Sequence, residues 1–430
     1  MLKRALVGLA LLLVIGIIGF WLFAREPSLP EIASPAAAGF SAEQIAQGKA
    51  LAAAGNCVAC HTVAGGKPFA GGYAVDTSFG TIYSTNITPD RETGIGTWSS
   101  EAFRRALHHG VSRDGSHLFP ALPYDHFTRL SDADVEALYA YFMSLEPVNA
   151  PAKANTIPFP LNIRALQAGW KLLFFQPGRF QPDPAKSAEW NRGAYLADGI
   201  AHCGACHTPR NLLGAEKRGE AFAGASIDNW YAPPLTAANP SPLPWTKQAL
   251  ATYLSQGYSA DHGVAAGPMG SVPRDLSALP VSDVQAVAAY FADGNGSAHK
   301  VIDPAPIVAK ALAKGADSGA PGYEPTARLY AAACASCHYS GADKVNALRP
   351  ELALNSALWL DDPSNLIQVI LHGVNAPDGI PGVVMPAYSH LSDAEVARLA
   401  AWLRETRTGK APWTDLEKQV AKIRAAGPRG

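Results

Sequence analysis

Cys57-Val58-Ala59-Cys60-His61, Cys203-Gly204-Ala205-Cys206-His207 and Cys334-Ala335-Ser336-Cys337-His338 are three copies of one five-residue pattern, C-x-x-C-H. Two thiols at that spacing can bond the two vinyl groups of one porphyrin, and the imidazole that follows can reach its iron. A single C-x-x-C also suits a zinc half-site or a redox dithiol. Here the chain has six cysteines and all of them fall in the three copies, so no thiol is left for zinc or for a disulfide. The expectation is three covalent haem c groups. Cys57, Cys60, Cys203, Cys206, Cys334 and Cys337 are the attachment thiols, and His61, His207 and His338 the proximal iron ligands.

The bulk composition agrees with that reading. A chain of 430 residues has room for two to four domains. A formal charge of −1, with no long charge run, excludes a polybasic nucleic-acid binder. Thirty-nine Gly and 34 Pro suit small domains wrapped in long loops, where a buried porphyrin supplies missing apolar area. No phosphate-binding Gly loop, nucleophile elbow or zinc-protease His pair is present, so a substrate-oxidising site is not expected.

Residues Ala5 to Ala24 carry no charge, and twenty such positions span a bilayer as a helix. Lys3 and Arg4 precede them, which leaves the amino end in the cytoplasm and the chain after Arg25 on the periplasmic side. A retained single-pass anchor in the inner membrane is favoured over a cleaved signal peptide, for which Ala36-Ala37-Ala38 is the conceivable late site.

Around each motif the same unit recurs. A helix leads into it: Ser41-Ala42-Glu43-Gln44 is a capping-box start, Ser187 caps the second such helix, and Pro325 opens the third. A middle helix closes on Gly, over 98–110, 245–257 and 359–373. A last helix is announced by Ser131-Asp132, Ser282-Asp283 or Ser392-Asp393, the latter two as capping boxes. No convincing alternating strand pattern is seen. The predicted fold is therefore all-α: an N-terminal transmembrane helix followed by three class I cytochrome c-like domains. The boundaries are an anchor at 1–25, a spacer at 26–39, domain one at 40–149, a connector at 150–188, domain two at 189–298, a linker at 299–323, domain three at 324–407 and a tail at 408–430. In the connector, Trp170, Leu172, Leu173, Phe174 and Phe175 are too few to span a bilayer. They suit either an interfacial helix beside the anchor or packing between domains. In the tail, Leu416, Val420 and Ile423 form a narrow apolar stripe, read as packing on its own domain.

A low-spin haem needs a sixth ligand, and Met is the usual partner of His. Met385 and Met269 lie in the loops before the last helices of domains three and two, in a chain with four methionines. Domain one departs. Leu122 stands where Met is expected, and Leu cannot bind iron. His126, four residues on, is the expected sixth ligand of haem one, with Met143, His117 and an open iron as alternatives. His108, His109, His262 and His372 read as surface or capping histidines. Trp98, Tyr83, Trp230, Tyr231 and Trp359 suit either haem edges or core packing.

With these motifs in place, the chain resembles the triheme cytochrome c subunits of bacterial membrane-bound periplasmic dehydrogenases. The resemblance runs from Ser41 to Arg407. It rests on the three motifs and on the runs Phe79 to Asp90 (FGTIYSTNITPD), Pro160 to Arg164 (PLNIR) and Asn191 to Tyr195 (NRGAY). Members that serve quinoprotein alcohol dehydrogenases usually read Pro-Ala-Met-Pro-Tyr where this chain has Leu122. Gly263 to Met269 and Trp230 to Pro233 look more like subunits paired with molybdopterin aldehyde or N-heterocycle dehydrogenases. The resemblance implies an electron-transfer subunit that takes electrons from a catalytic partner, of molybdopterin type with an iron–sulfur small subunit, and passes them to ubiquinone. The alternatives are a cytochrome subunit of a pyrroloquinoline quinone alcohol or flavin sugar dehydrogenase, and a haem enzyme with an open iron at haem one.

Overall fold

The computed structural model describes residues 2–35, 39–300, 302–319, 324–340, 351–374 and 385–428. The conceivable cleavage site at Ala36–Ala38 lies outside them. An unbroken helix, Leu2–Phe23, opens the chain, with mean hydropathy 2.8 and none of its apolar window buried in protein.

The lead helix of the first motif is Ala42–Ala54. Its start is fixed as a capping box: Ser41 Oγ accepts from the Gln44 amide, and Gln44 Oε1 accepts from the Ser41 amide. It packs on the last helix, Asp132–Ser144, at a point where no side chain fits. A Cβ on Gly48 would lie 1.9 Å from the Ala137 carbonyl oxygen and 2.8 Å from Tyr141 Cβ. Around the second motif the Ala188–Asp198 helix crosses Val281–Gly294 in the same way. There a Cβ on Gly193 would lie 2.0 Å from the Ala286 oxygen and 3.0 Å from Tyr290 Cβ. Polar pairs flank both crossings: Gln47 to Asp134 at 2.6 Å, and Arg192 on both oxygens of Asp283 at 2.9 and 2.6 Å.

The last helix of the second repeat begins two residues early, with Pro280 at its N-cap and no side-chain cap. The Ser282 capping box is therefore not formed, because Ser282 already lies inside the first turn. The Ser131 and Ser392 caps form as the sequence suggests. The middle helices are Ser100–His109 and Lys247–Gln256, each ended by a left-handed Gly, Gly110 or Gly257. In the third repeat the middle element is broken into Ser356–Trp359 and Ser364–His372, with Pro363 at the cap of the second piece.

Helices dominate, but among the described residues three two-stranded antiparallel hairpins modify the all-α expectation: Ala74–Thr77 with Gly80–Tyr83, Ala225–Ile227 with Trp230–Ala232, and Tyr258–Ser259 with Gly263–Val264. Ile227 pairs with Trp230 across Asp228 and Asn229, both at positive φ (49° and 63°), the backbone a tight two-residue hairpin turn requires. Strands of two to four residues are too short for an alternating pattern to register.

The described residues form two compact units. One comprises 1–182 with 198–202 and 212–215. Within it, residues 24–34 are not a free spacer. Leu29 and Ile32 amides bond to the Arg113 and Thr97 carbonyls, and Arg113 pairs with Glu31 at 2.9 Å. Gly115, at φ +84°, leaves no room for a Cβ, which would meet the Glu26 carbonyl oxygen at 2.3 Å.

The second unit holds the second and third motif regions together. Asn365 pairs with both backbone groups of Tyr231, at 2.8 Å each, and so mimics a neighbouring strand. Within the 299–323 stretch, Ala305–Gly319 is helical, because its Ala, Leu and Lys are good helix formers. Arg407, 1% exposed, donates to the Gly315 carbonyl of that helix and sits over the Tyr330 ring. The C-terminal helix Leu416–Ala426 buries Leu416, Val420 and Ile423 against Ile367, Leu371, Val396 and Leu399.

Candidate haem-attachment sites

Each C-x-x-C-H lies on a one-turn helix at the end of a lead helix: Cys57–Cys60, Gly204–His207 and Ala335–His338. A helical turn sets residues three apart on one face, so both thiols of a pair project the same way. None of the six cysteines is in a disulfide. Burial, with Cys337 beside it, pushes the Cys334 thiol up to about 11.

The histidines are the stronger observation. His61 Nδ1 lies 2.7 Å from the Thr85 carbonyl oxygen, and His207 Nδ1 lies 2.7 Å from the Pro233 carbonyl oxygen. A carbonyl can only accept, so Nδ1 must carry the proton in both rings. Nε2 is then left as a lone-pair donor, the tautomer an iron-ligating imidazole needs. Desolvation lowers the pKa of each ring, with that carbonyl opposing, and so favours the neutral form that ligation requires. Both carbonyls follow a hairpin closely, two residues beyond Tyr83 and one beyond Ala232.

The first two sites share a further arrangement that motif reading missed. Thr62 and Thr208 follow the histidines, and their hydroxyls accept from the amides of Phe69 and Phe222, each at 3.1 Å. Those phenylalanines have positive φ, 62° and 58°, uncommon for a bulky residue and held by this capture. Their rings meet Tyr141 and Phe142 in one site and Tyr290 and Phe291 in the other. Two residues on, Gly71 and Gly224 donate to the His61 and His207 carbonyls at 2.8 Å. The repeated His-Thr and Phe-Ala-Gly words carried this signal.

The methionine loops are tied back to the same frames. The Trp230 ring, on the hairpin that leads to Pro233, covers Gly267: a Cβ there would lie 2.3 Å from the indole, and φ is +57°. Met269 follows two residues later, half-buried. In the third site Met385 pairs its backbone with Val374 in both directions at 2.9 Å, and Tyr388 Oη donates to the carbonyl of Ala333, next to Cys334. Residue Val384, which precedes Met385, is outside the described residues. Tyr330 Oη donates to the His338 carbonyl at 2.7 Å.

In the first unit the His126 ring is buried, with Nδ1 3.0 Å from the Asp198 carbonyl oxygen. Nδ1 therefore carries the proton here too. His202 packs at 6.4 Å from this ring, and its Nε2 reaches the carbonyl of Gly55, two residues before Cys57. Both ring nitrogens of His117 are engaged: Nε2 faces the Ala24 carbonyl at 2.9 Å, and Nδ1 faces Lys171 Nζ at 3.0 Å. Met143 is 4% exposed in the core of the last helix. His108 and His262 are buried rather than surface residues. His262 bonds Ser259 and the Leu243 carbonyl and stacks on Trp245 at 3.9 Å. Among the aromatics, Trp359 bonds the Ala353 carbonyl at 2.8 Å and stands under Lys410, as a packing residue does.

Comparison with known proteins follows the same lines. A family model described as cytochrome c matches residues 45–146 and 323–407. A nicotinate dehydrogenase subunit of Pseudomonas putida is 48% identical over 92% of this chain, and the chain spans 33% of that protein's length. The fructose dehydrogenase cytochrome subunit of Gluconobacter japonicus is 38% identical over 89% of this chain and 83% of its own length. The gluconate 2-dehydrogenase cytochrome c subunit of Pantoea cypripedii is 38% identical over 88% and 89%. A chain with these motifs, this histidine geometry and these relatives belongs to the cytochrome c family, among the haem c-bearing cytochrome subunits of bacterial dehydrogenases.

Proposed function

We propose that this chain is a membrane-anchored triheme electron-transfer subunit. It relays electrons from a periplasmic molybdopterin dehydrogenase with an iron–sulfur small subunit to ubiquinone. The observation that carries the reading is the recurrence of one frame: a thiol pair on a helical turn, followed by an imidazole whose Nδ1 proton is given to a carbonyl. The bound haem iron supplies reversible one-electron chemistry. The chain does the rest. Cys57 and Cys60, Cys203 and Cys206, and Cys334 and Cys337 fix the three groups covalently. His61, His207 and His338 ligate from one side, with Thr85 and Pro233 orienting the first two rings. Met269 and Met385 are the sixth ligands of the second and third sites.

At the first site His126 is the sixth ligand, in keeping with the Asp198 carbonyl that presets its Nε2 lone pair. Bis-His ligation places that site at a lower potential than its two His/Met neighbours. The Leu2–Phe23 helix is the inner-membrane anchor, with 40–149, 189–298 and 324–407 as three periplasmic cytochrome domains. The molybdopterin partner is favoured by the identity to the nicotinate dehydrogenase relative, which exceeds that to the fructose and gluconate dehydrogenase subunits.

The test is purification of a tagged chain from detergent-solubilised membranes. A co-purifying large subunit with stoichiometric molybdenum, and haem reoxidation by a water-soluble ubiquinone analogue, are the expected results. Pyrroloquinoline quinone or flavin in the large subunit would replace the partner assignment. Haem that stays reduced in the presence of the quinone would remove the quinone step.

A further inference from the structure

The helix Leu166–Phe174 in the first unit presents an apolar face that nothing among the described residues covers. Leu172 and Leu173 are 71% and 66% exposed. Its polar groups are turned the other way. Lys171, the one charged residue of the helix, directs Nζ inward to the carbonyls of His109 and Gly110 at 2.6 and 2.7 Å, and to His117 Nδ1. Burial there lowers its pKa to about 8. A soluble surface helix does the reverse, turning its lysine to water and its leucines to the core.

The surroundings say what covers that face. Gly169, on the same side of the helix as Leu166 and Leu173, faces the Leu2–Phe23 helix: a Cβ on it would touch Phe20 Cε2 at 3.6 Å. Phe20 lies one turn from the end of that helix. Ala24, the residue just past the helix, is itself buried and bonded through its carbonyl to His117. The foot of the apolar helix is therefore fixed to the same His117–Lys171 pair that holds Leu166–Phe174. The exposed apolar surface continues beyond the helix. Leu212 and Leu213 are 95% and 52% exposed, the latter tied to the helix through Trp170 Nε1 on its carbonyl at 3.0 Å.

We infer that this collar, centred on Leu172 and Leu173, lies in the lipid interface around the foot of the anchor and sets the height and tilt of the first unit over the bilayer. The occupant is lipid because the surface is continuous with a helix that is itself apolar on every side and unburied. The inference rests on the anchor reading above, and the experiment separates the two.

Nitroxide labels are placed singly at Leu173→Cys, at Leu12→Cys inside the apolar helix, and at Val281→Cys, an exposed site in the second unit. The full-length, haem-loaded chain is reconstituted into vesicles of phosphatidylethanolamine with a quarter phosphatidylglycerol. Collision with oxygen and with a water-soluble nickel chelate is then read by EPR. The labels at 12 and 173 should both favour oxygen several-fold over the 281 label, with residue 12 the deeper. A residue 12 label in lipid with a residue 173 label as wet as that at 281 overturns the collar and leaves the anchor standing. A residue 12 label in water overturns both. A residue 173 label shielded from both reagents shows protein, not lipid, on this face and overturns the collar. Unchanged haem absorbance in each variant shows that it has folded.

Discussion

Gly48→Ala is the sharpest perturbation of the frame that holds the first haem site. In an isolated helix the change is favourable by about 1 kcal/mol. Here the new methyl group would lie 1.9 Å from the Ala137 carbonyl oxygen and 2.5 Å from its carbon. A relaxed carbon–oxygen contact is about 3.3 Å, so the lead helix and the last helix must part by roughly 1.4 Å. A gap of that size forfeits a large part of the dispersion energy along the crossing, and overpacking of this kind costs about 3 kcal/mol at its upper end. The net expectation is a loss of about 2 kcal/mol, set by the clash rather than by propensity. A chain of several units does not unfold in one step, so the readout is local. Amide exchange by mass spectrometry, on peptides covering 42–54 and 132–144, should show protection reduced on the order of thirty-fold. Gly193→Ala should do the same to 188–198 and 281–294, where the clash is 2.0 Å. Gly219→Ala, with open space around it, is the control and should change nothing. Equal or greater protection in Gly48→Ala would refute the claim that close backbone contact forms this crossing.

The remaining predictions concern ligands and protonation. Gly267→Ala pushes a methyl group into the Trp230 ring at a backbone angle an L-residue resists. It should displace Met269 and turn one low-spin ferric haem high-spin in the EPR spectrum, and an unchanged spectrum would contradict the Trp230–Met269 coupling. His126→Ala should convert a different single haem to high spin, the lowest-potential one in a redox titration. His108 is fully buried, and desolvation first, then the charge of Arg179, lowers its pKa to about 4, with Asp132 opposing. Because its folded pKa lies below the unfolded 6.5, the unfolded chain binds the extra proton. The contribution to stability, on the order of 3 kcal/mol, is present above pH 6.5 and is lost as pH falls toward 4. His108→Gln should remove that slope from denaturant midpoints of the first unit measured between those pH values, with Asp132, His109, Arg104 and Arg179 left in place.

The motif helices, the lead helices and most caps were legible because each depends on residues within one or two turns of each other. Ser41 with Gln44, Ser131 with Asp134 and Ser392 with Glu395 are such local facts. The Ser282 cap failed because the helix starts behind Pro280 and takes Ser282 into its first turn, a start that no capping-box pattern marks. The tyrosine–asparagine pairing that joins the second and third motif regions was likewise invisible, since Asn365 carries no signal of what it will meet. The hairpins escaped because two to four residues give no period to read. The carbonyls of Thr85 and Pro233 fix the histidine tautomers through backbone atoms, which no residue-type pattern records. The half-buried Lys171, with its Nζ turned inward onto two carbonyls, inverts the ordinary rule that lysines face water. Only the fold shows that it frees the leucines beside it.

The central claim is that all six thiols are taken up in pairs by haem. Intact mass spectrometry of the purified, denatured chain tests it most directly, because thioether bonds survive unfolding. The account predicts a polypeptide heavier by the mass of three haem groups, with no thiol reactive toward iodoacetamide. A mass equal to the bare chain, with six reactive thiols, would contradict it.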